Sequence, residues 1–211
     1  MKITYLNDPS GLKPAQLNNI SVDNAELLAE KCVNFICTYL VKTNKDRFYF
    51  AQNLTTHFVD ILSLVKKKTP EIKKIYISSH ELKWLAQMFQ NKDFQPDATH
   101  SNYHENSKIT YPKYDIEIFD FEKTNTIIES SNQSSIFYIS HISRMTGETV
   151  DIENIFKTLK SKNPDSILII DGAQALGAQP LLEINNVADV YLGISSKFIG
   201  AEPELGLQLN R

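Results

Sequence analysis

Short apolar runs alternate along the chain with segments whose apolar residues recur every three or four positions. The runs predict strands that are buried on both faces, and the periodic segments predict amphipathic helices. Predicted strands cover residues 47–51, 74–78, 115–121, 134–140, 166–171 and 189–195, with 189–195 as the last strand. Predicted helices cover 21–40, a segment from Thr55 or Thr56 to Lys68, 80–90 and 151–162.

This alternation predicts an α/β fold of three layers, in which helices flank a mainly parallel sheet. Residues 91–113 are polar and follow no period, so they predict a long surface loop or a poorly ordered segment. The length suits a single domain over residues 1–211. In such sheets, ligands bind beside the carboxyl ends of the strands.

Composition narrows the class of protein. The 211 residues include 22 Lys and Arg against 25 Asp and Glu, a formal net charge of −3, which provides no basic surface for nucleic acid or an anionic membrane. No run of about 18 apolar residues occurs, and the N-terminus lacks the apolar core of a signal peptide. Two cysteines, without a Cys/His cluster of zinc spacing, favour a reduced, cytoplasmic protein with no metal site.

Three features lie at carboxyl ends of predicted strands. Asp171 closes the most apolar strand and is followed by Gly172. Lys197 follows the next strand along the chain, so both residues can face one crevice. The strand at 47–51 leads into a helix through Asn53, Thr55 and Thr56, and a helix start with free N–H groups can hold an anion.

Each feature alone has an ordinary structural explanation: a helix-capping aspartate, a solvated loop lysine and a threonine N-cap. Together they supply the groups that pyridoxal 5'-phosphate (PLP) requires. A lysine forms a Schiff base with its aldehyde, an aspartate pairs with its pyridinium nitrogen, and a helix N-terminus holds its phosphate.

Several motifs then resemble one family. The stretch IIDGAQALG, followed by ADVYLGISSKFIGAEPELGLQL, is similar to the cofactor domain of class V aminotransferases, within the fold-type I PLP enzymes. That family includes cysteine desulfurases and kynureninases. The segments TYLNDPSGLKP, KIYISSHEL and YISHISRMTGETVDI resemble further family segments, and NLTT resembles the phosphate loop of kynureninases. The resemblance is strongest over residues 135–209.

The resemblance implies a role for each matching residue. It makes Lys197 the Schiff-base lysine and Asp171 the partner of the pyridine nitrogen, both catalytic. It places Gln174 near the phenolic oxygen, Thr55 and either Ser195 or Ser196 at the phosphate, and Leu82 over the ring, with Leu54 as a further cofactor-binding residue. It also implies an amino-acid substrate and a homodimer. Transamination, desulfuration and kynureninase-like cleavage stay open.

The chain departs from the family pattern at several positions. Leu82 stands where the family has a ring-stacking His or aromatic residue, with His80 and Trp84 as possible substitutes. Arg144 stands where desulfurases have Asn. The chain also stops at Arg211, before the family's C-terminal small domain, which we therefore expect to be absent.

These departures favour an alternative: a catalytically inactive or truncated relative that serves as a cofactor-binding or interaction domain. A third hypothesis, a nucleotide-binding α/β domain, has little support, because no G-x-G-x-x-G or P-loop pattern occurs among only seven glycines.

Overall fold

The computed structural model describes residues 30–31, 33–34, 37–38, 48–51, 54–80, 114–179, 187–194 and 206–210. For 48–51, 54–56 and 206–210 it describes the backbone only. The predicted helix at 80–90 lies outside these ranges apart from His80, and so does nearly all of the polar segment 91–113.

The described fold contains seven strands and three α-helices with assigned bounds. The strands are β1 (Phe48–Ala51), β2 (Lys74–Ser78), β3 (Asp115–Phe119), β4 (Ile136–Ser140), β5 (Ile167–Asp171), β6 (Val190–Ile194) and β7 (Gly206–Asn210). The helices are α1 (Leu54–Lys68), α2 (Thr124–Ser130) and α3 (Ile152–Lys162), and a 3-10 turn at Phe121–Lys123 precedes α2.

The strands form one sheet in the order β1-β7-β6-β5-β4-β2-β3. Strands β3, β2, β4, β5 and β6 are mutually parallel, whereas β7 runs antiparallel to both β6 and β1. The chain crosses from β2 and β3 to β4, then to β5 and β6, so the carboxyl ends of the parallel strands share one edge. This arrangement confirms the predicted α/β class.

Helices bury apolar side chains against the two faces of the sheet. Helix α1 packs Phe58, Ile61, Leu62 and Val65 onto one face. Helix α3 packs Ile152, Ile155, Phe156 and Leu159 onto the other, and the three- and four-residue spacing of these positions predicts that they share one inward face. Each fully buried side chain of this size contributes about 1.5–3 kcal/mol, so both faces of the sheet need their helices.

Two elements differ from the sequence prediction. The strand predicted over 115–121 ends at Phe119, because the chain turns into the 3-10 helix and α2. The prediction of no strand after 189–195 was wrong, since β7 follows at Gly206–Asn210. Only Leu207 and Leu209 mark β7 as apolar, and its pairing with β6 and β1 stabilises it.

The predicted helix over 21–40 is described at six positions. Residues 30, 31, 33 and 34 are α-helical and residues 37–38 are π-helical. Val33 and Cys37 are both buried against the α3 face of the sheet. In the part of the chain that the structure describes, no helix combines the length and apolar character needed to cross a membrane.

Candidate functional site

The carboxyl edge of the parallel strands gathers the polar residues that end them. Strands β2, β4 and β5 close at Ser78, Ser140 and Asp171, and Ser140 pairs with Asp171 in the register of β4 and β5. The next strand in the sheet, β6, ends at Ile194, immediately before Ser195. Strands β5 and β6 are parallel neighbours in the sheet, and Lys197, three residues beyond Ile194, lies outside the described residues.

Asp171 is buried, with 8% of its surface exposed. Its Oδ2 accepts a hydrogen bond from the Tyr138 hydroxyl at 2.9 Å, and its Oδ1 accepts from the backbone N–H of Ala173 at 2.8 Å. The Ala173 contact belongs to a local turn, because residues 173–178 form turns and not a helix. Asp171 therefore does not cap a helix, which is the structural role that an aspartate at this position would ordinarily have.

Tyr138 connects Asp171 to the start of helix α1. Its ring lies 4.3 Å from the ring of Phe58, measured between centroids, at an interplanar angle of 49°. Phe58 lies just past the first turn of the helix that begins at Leu54, and that first turn has no acidic residue. An N-terminus without a competing carboxylate offers N–H donors and a positive dipole end to an anion.

A second pair of polar side chains lies on the opposite face, beneath Gly172. The Tyr191 hydroxyl and His141 Nδ1 are 3.0 Å apart, and both residues are buried. Burial lowers the pKa of His141 to about 4. Burial, and then the charge of Asp171, raise the pKa of Tyr191. Both side chains are therefore neutral near pH 7.

The loop after β4 is held by Ser143. Its Oγ accepts backbone hydrogen bonds from Met145 and Thr146, both at 3.1 Å, and lies 2.8 Å from His80 Nδ1. The His80 ring also stacks on Phe121 at 4.8 Å. One face of the His80 ring is thus covered by protein, and this residue ties the end of β2 to the loop.

The predicted cofactor residues are only partly within the described chain. Asp171 and Gln174 are described, and Gln174 lies half-buried in the turn after β5. Leu54 and Thr55 occupy the first two positions of α1, of which only the backbone is described. Lys197, Ser195, Ser196 and Leu82 lie outside the described residues, as does Trp84.

Sequence reasoning missed Tyr138 and Tyr191. The run SSIFYIS predicts an apolar strand, but a buried tyrosine hydroxyl within it also needs a hydrogen-bond partner. Tyr138 lies two residues before the end of β4, on the same side as Ser140, which pairs with Asp171. That alternation is the signal that could have linked Tyr138 to the carboxylate.

An open cleft of about 560 Å³ lies elsewhere, lined by Phe121, Glu122, Gly147, Glu148 and Asp151 among others. Its carboxylates disfavour a phosphate, and Asp171 does not line it. Within the described ranges, no group of three or more His, Cys, Asp or Glu residues could hold a metal ion.

Comparison with known families and curated proteins finds no match for this chain. Comparison with solved structures finds proteins of similar fold. A NifS-like protein superposes with a TM-score of 0.68 at 15% identity, over 90% of this chain and 49% of that one. C-DES, in a form with glycine covalently linked to its PLP cofactor, gives 0.67 at 13% identity, over 93% and 50%. The Escherichia coli cysteine desulfurase CsdA gives 0.60 at 13% identity, over 96% and 47%.

The chain thus spans about half the length of these solved structures. Each superposition covers 90% or more of this chain, so it compares the fold as a whole and not one motif. The chain has the PLP-dependent transferase-like α/β fold of NifS-like proteins and cysteine desulfurases.

Proposed function

We propose that this chain binds PLP as the cofactor domain of a class V aminotransferase-type enzyme that acts on an amino acid. One observation carries the proposal: a buried carboxylate, Asp171, closes a central strand at the edge where ligands bind in such sheets. The fold that surrounds it is that of PLP-dependent enzymes.

The described residues fit the chemistry of PLP. An ionised carboxylate can accept about four hydrogen bonds, so the donors from Tyr138 and Ala173 are compatible with a further donor such as a protonated ring nitrogen. Helix α1 has a first turn without acidic residues, which suits a phosphate. The Phe58–Tyr138 contact and the Tyr138–Asp171 hydrogen bond link these two groups.

Each residue then has a defined task. Bound PLP supplies an electron sink for negative charge that develops at the α-carbon of a substrate amine. Asp171 holds its negative charge beside the ring nitrogen, where the Tyr138 and Ala173 donors stabilise the ionised carboxylate. The backbone N–H groups at the start of α1 bind the phosphate. The Lys197 amine would hold the cofactor and, once a substrate amine has displaced it, would accept and return the α proton as base and acid.

The substrate class that we propose to test first is a thiol amino acid. Among proteins of similar fold, SspA was solved in complex with cysteine, at a TM-score of 0.66 and 14% identity, and C-DES with cysteine persulfide as its reaction product. Turnover of cysteine would indicate cleavage of a C–S bond, whereas turnover of kynurenine would indicate cleavage of a C–C bond. We also propose a homodimer, which light scattering can test.

The test is a PLP titration of the chain and of two asparagine variants. Asp171→Asn removes the charge at the proposed ring nitrogen site. Asp189→Asn makes the same change at the opposite end of the sheet, just before β6, where the Asp189 carboxylate accepts from Leu168 N–H at 2.8 Å. We expect Asp171→Asn to weaken PLP binding by about tenfold or more and Asp189→Asn to leave it unchanged.

Equal PLP affinity in the parent and Asp171→Asn would refute the role of Asp171. PLP binding without turnover of any amino acid would favour the alternative, in which the chain is a cofactor-binding or interaction domain.

A further inference from the structure

We propose that Tyr138 is the positioning residue for Asp171, and that it couples the carboxylate at the ring nitrogen to the helix at the phosphate. This inference rests on the proposed function. Its basis is one side chain that contacts both groups: the Tyr138 hydroxyl donates to Asp171 Oδ2, and the Tyr138 ring packs on Phe58 of α1.

The phenol has no freedom to leave this position. Tyr138 is 1% exposed, and Phe58 is fully buried. The ring belongs to the core cluster on the α1 face, with Ile136 before it on β4 and Ile169 on β5. Rotation of the ring away from Asp171 would require a new cavity in a close-packed interior.

The orientation of the Asp171 carboxylate depends on this hydroxyl. The Tyr138 hydroxyl donates to Oδ2 and the Ala173 N–H donates to Oδ1. Donors on both oxygens restrain the plane of the carboxylate, and loss of the Tyr138 donor weakens the restraint on Oδ2. A carboxylate already held in its binding orientation loses less conformational freedom when a ligand binds.

The other contact of Tyr138 is with helix α1, whose start is the proposed phosphate site. Phe58 lies one turn into a helix that begins at Leu54, so the contact with Tyr138 sets how the start of that helix meets β4 and β5. A cofactor that spans from the helix start to Asp171 needs these two points at a fixed separation. Tyr138 contacts both sides of that span, through its ring at Phe58 and its hydroxyl at Asp171.

Tyr138→Phe tests the proposal, because it keeps the ring and its packing on Phe58 and removes only the hydroxyl. The matched control is Tyr114→Phe, which removes a tyrosine hydroxyl that donates to Leu62 O at the same 2.9 Å and does not touch Asp171. We expect Tyr138→Phe to weaken PLP binding about fivefold to tenfold. We expect Tyr114→Phe to bind PLP like the parent.

Two further readouts distinguish positioning from a general loss of structure. With PLP labelled with nitrogen-15 in its ring, the ring-nitrogen chemical shift should move toward the unprotonated value in Tyr138→Phe and stay unchanged in Tyr114→Phe. In the Asp171→Asn background, adding Tyr138→Phe should change PLP affinity by less than about twofold, because the hydroxyl acts through the carboxylate.

Each outcome has a definite meaning. Parent-like affinity and ring-nitrogen shift in Tyr138→Phe would overturn the positioning role while the proposed function stands. Equal losses of affinity from Tyr138→Phe with and without the Asp171 carboxylate would also overturn it. A parent chain that binds no PLP would overturn the proposed function, and this inference with it.

Discussion

Gly172→Ala tests whether the turn that follows Asp171 is shaped by the ring of Tyr191. A Cβ added at Gly172 would lie 2.1 Å from Cε1, 2.2 Å from Cζ and 2.3 Å from the hydroxyl oxygen of Tyr191. Ordinary carbon contacts lie at about 3.5–4.0 Å, so the ring or the backbone must move by more than about 1 Å. The ring is fully buried and its hydroxyl lies 3.0 Å from His141 Nδ1, which leaves it no open space.

The magnitude follows from this confinement. Overpacking of a core by one methyl group destabilises proteins by about 1–3 kcal/mol, and the confined ring places Gly172→Ala near 3 kcal/mol. The backbone at Gly172 has no positive φ, unlike Gly147 and Gly177. Without the clash, alanine would therefore stabilise the fold slightly, by about 0.4–1 kcal/mol, so the sign of the effect is diagnostic.

The assay is urea unfolding at pH 7. With a slope of about 2–3 kcal/mol/M, a loss of 3 kcal/mol lowers the unfolding midpoint by about 1–1.5 M. Gly193→Ala is the control, because its Cβ would meet the end of the flexible Leu176 side chain at 2.5 Å. We expect the control to lose about 1 kcal/mol or less.

A double-mutant cycle decides the cause. Tyr191→Leu removes the two ring carbons and the hydroxyl oxygen that the new Cβ would strike, so adding Gly172→Ala in that background should have little effect. A Gly172→Ala chain as stable as the parent would refute this reasoning. The same loss in the Tyr191→Leu background would also contradict it.

The remaining predictions concern the polar pairs around the site. Burial lowers the pKa of His141 in the folded chain to about 4 from its ordinary value of 6.5. The unfolded chain therefore binds more protons between these values, and stability falls as pH drops from about 6.5 to 4. We expect the free energy of unfolding to fall by about 2–3 kcal/mol over that pH range, and this loss to be absent in His141→Asn. Urea unfolding at both ends of the range measures it. Equal pH dependence in the parent and His141→Asn would contradict the prediction. Ser143→Ala removes the acceptor for the Met145 and Thr146 N–H groups and should lower the free energy of unfolding by about 1–3 kcal/mol. Ser130→Ala, at an exposed position at the end of α2, should change it by less than about 0.5 kcal/mol, and equal effects of the two variants would refute the role of Ser143.

The sequence predicted most of the sheet because strands that are buried on both faces are continuous apolar runs. Strand β2 was predicted with its observed bounds, and β4, β5 and β6 within one or two residues at each end. Helix α2 and strand β7 were missed. Helix α2 is seven residues long, rich in β-branched side chains and without a side-chain N-cap, so tertiary packing and not local propensity stabilises it.

The candidate site, like the sheet, was predicted from the sequence only in part. Asp171 was predictable because its position depends on one strand end and its residue type. The contact of Tyr138 with Asp171 and the contact of Tyr191 with His141 were not predictable. The first joins residues 33 positions apart in sequence, and the second joins residues 50 positions apart. Their partners depend on the order of strands in the sheet, which periodicity along the chain does not encode.

The central claim is that PLP binds this chain through Lys197, beside Asp171. The most direct measurement is the visible absorbance of the purified chain with added PLP, followed by borohydride reduction and peptide mass mapping, for the parent and Lys197→Ala. We expect a new visible band and a PLP adduct fixed on Lys197 in the parent, and neither in Lys197→Ala. An adduct on another lysine, or no specific adduct in either chain, would contradict it.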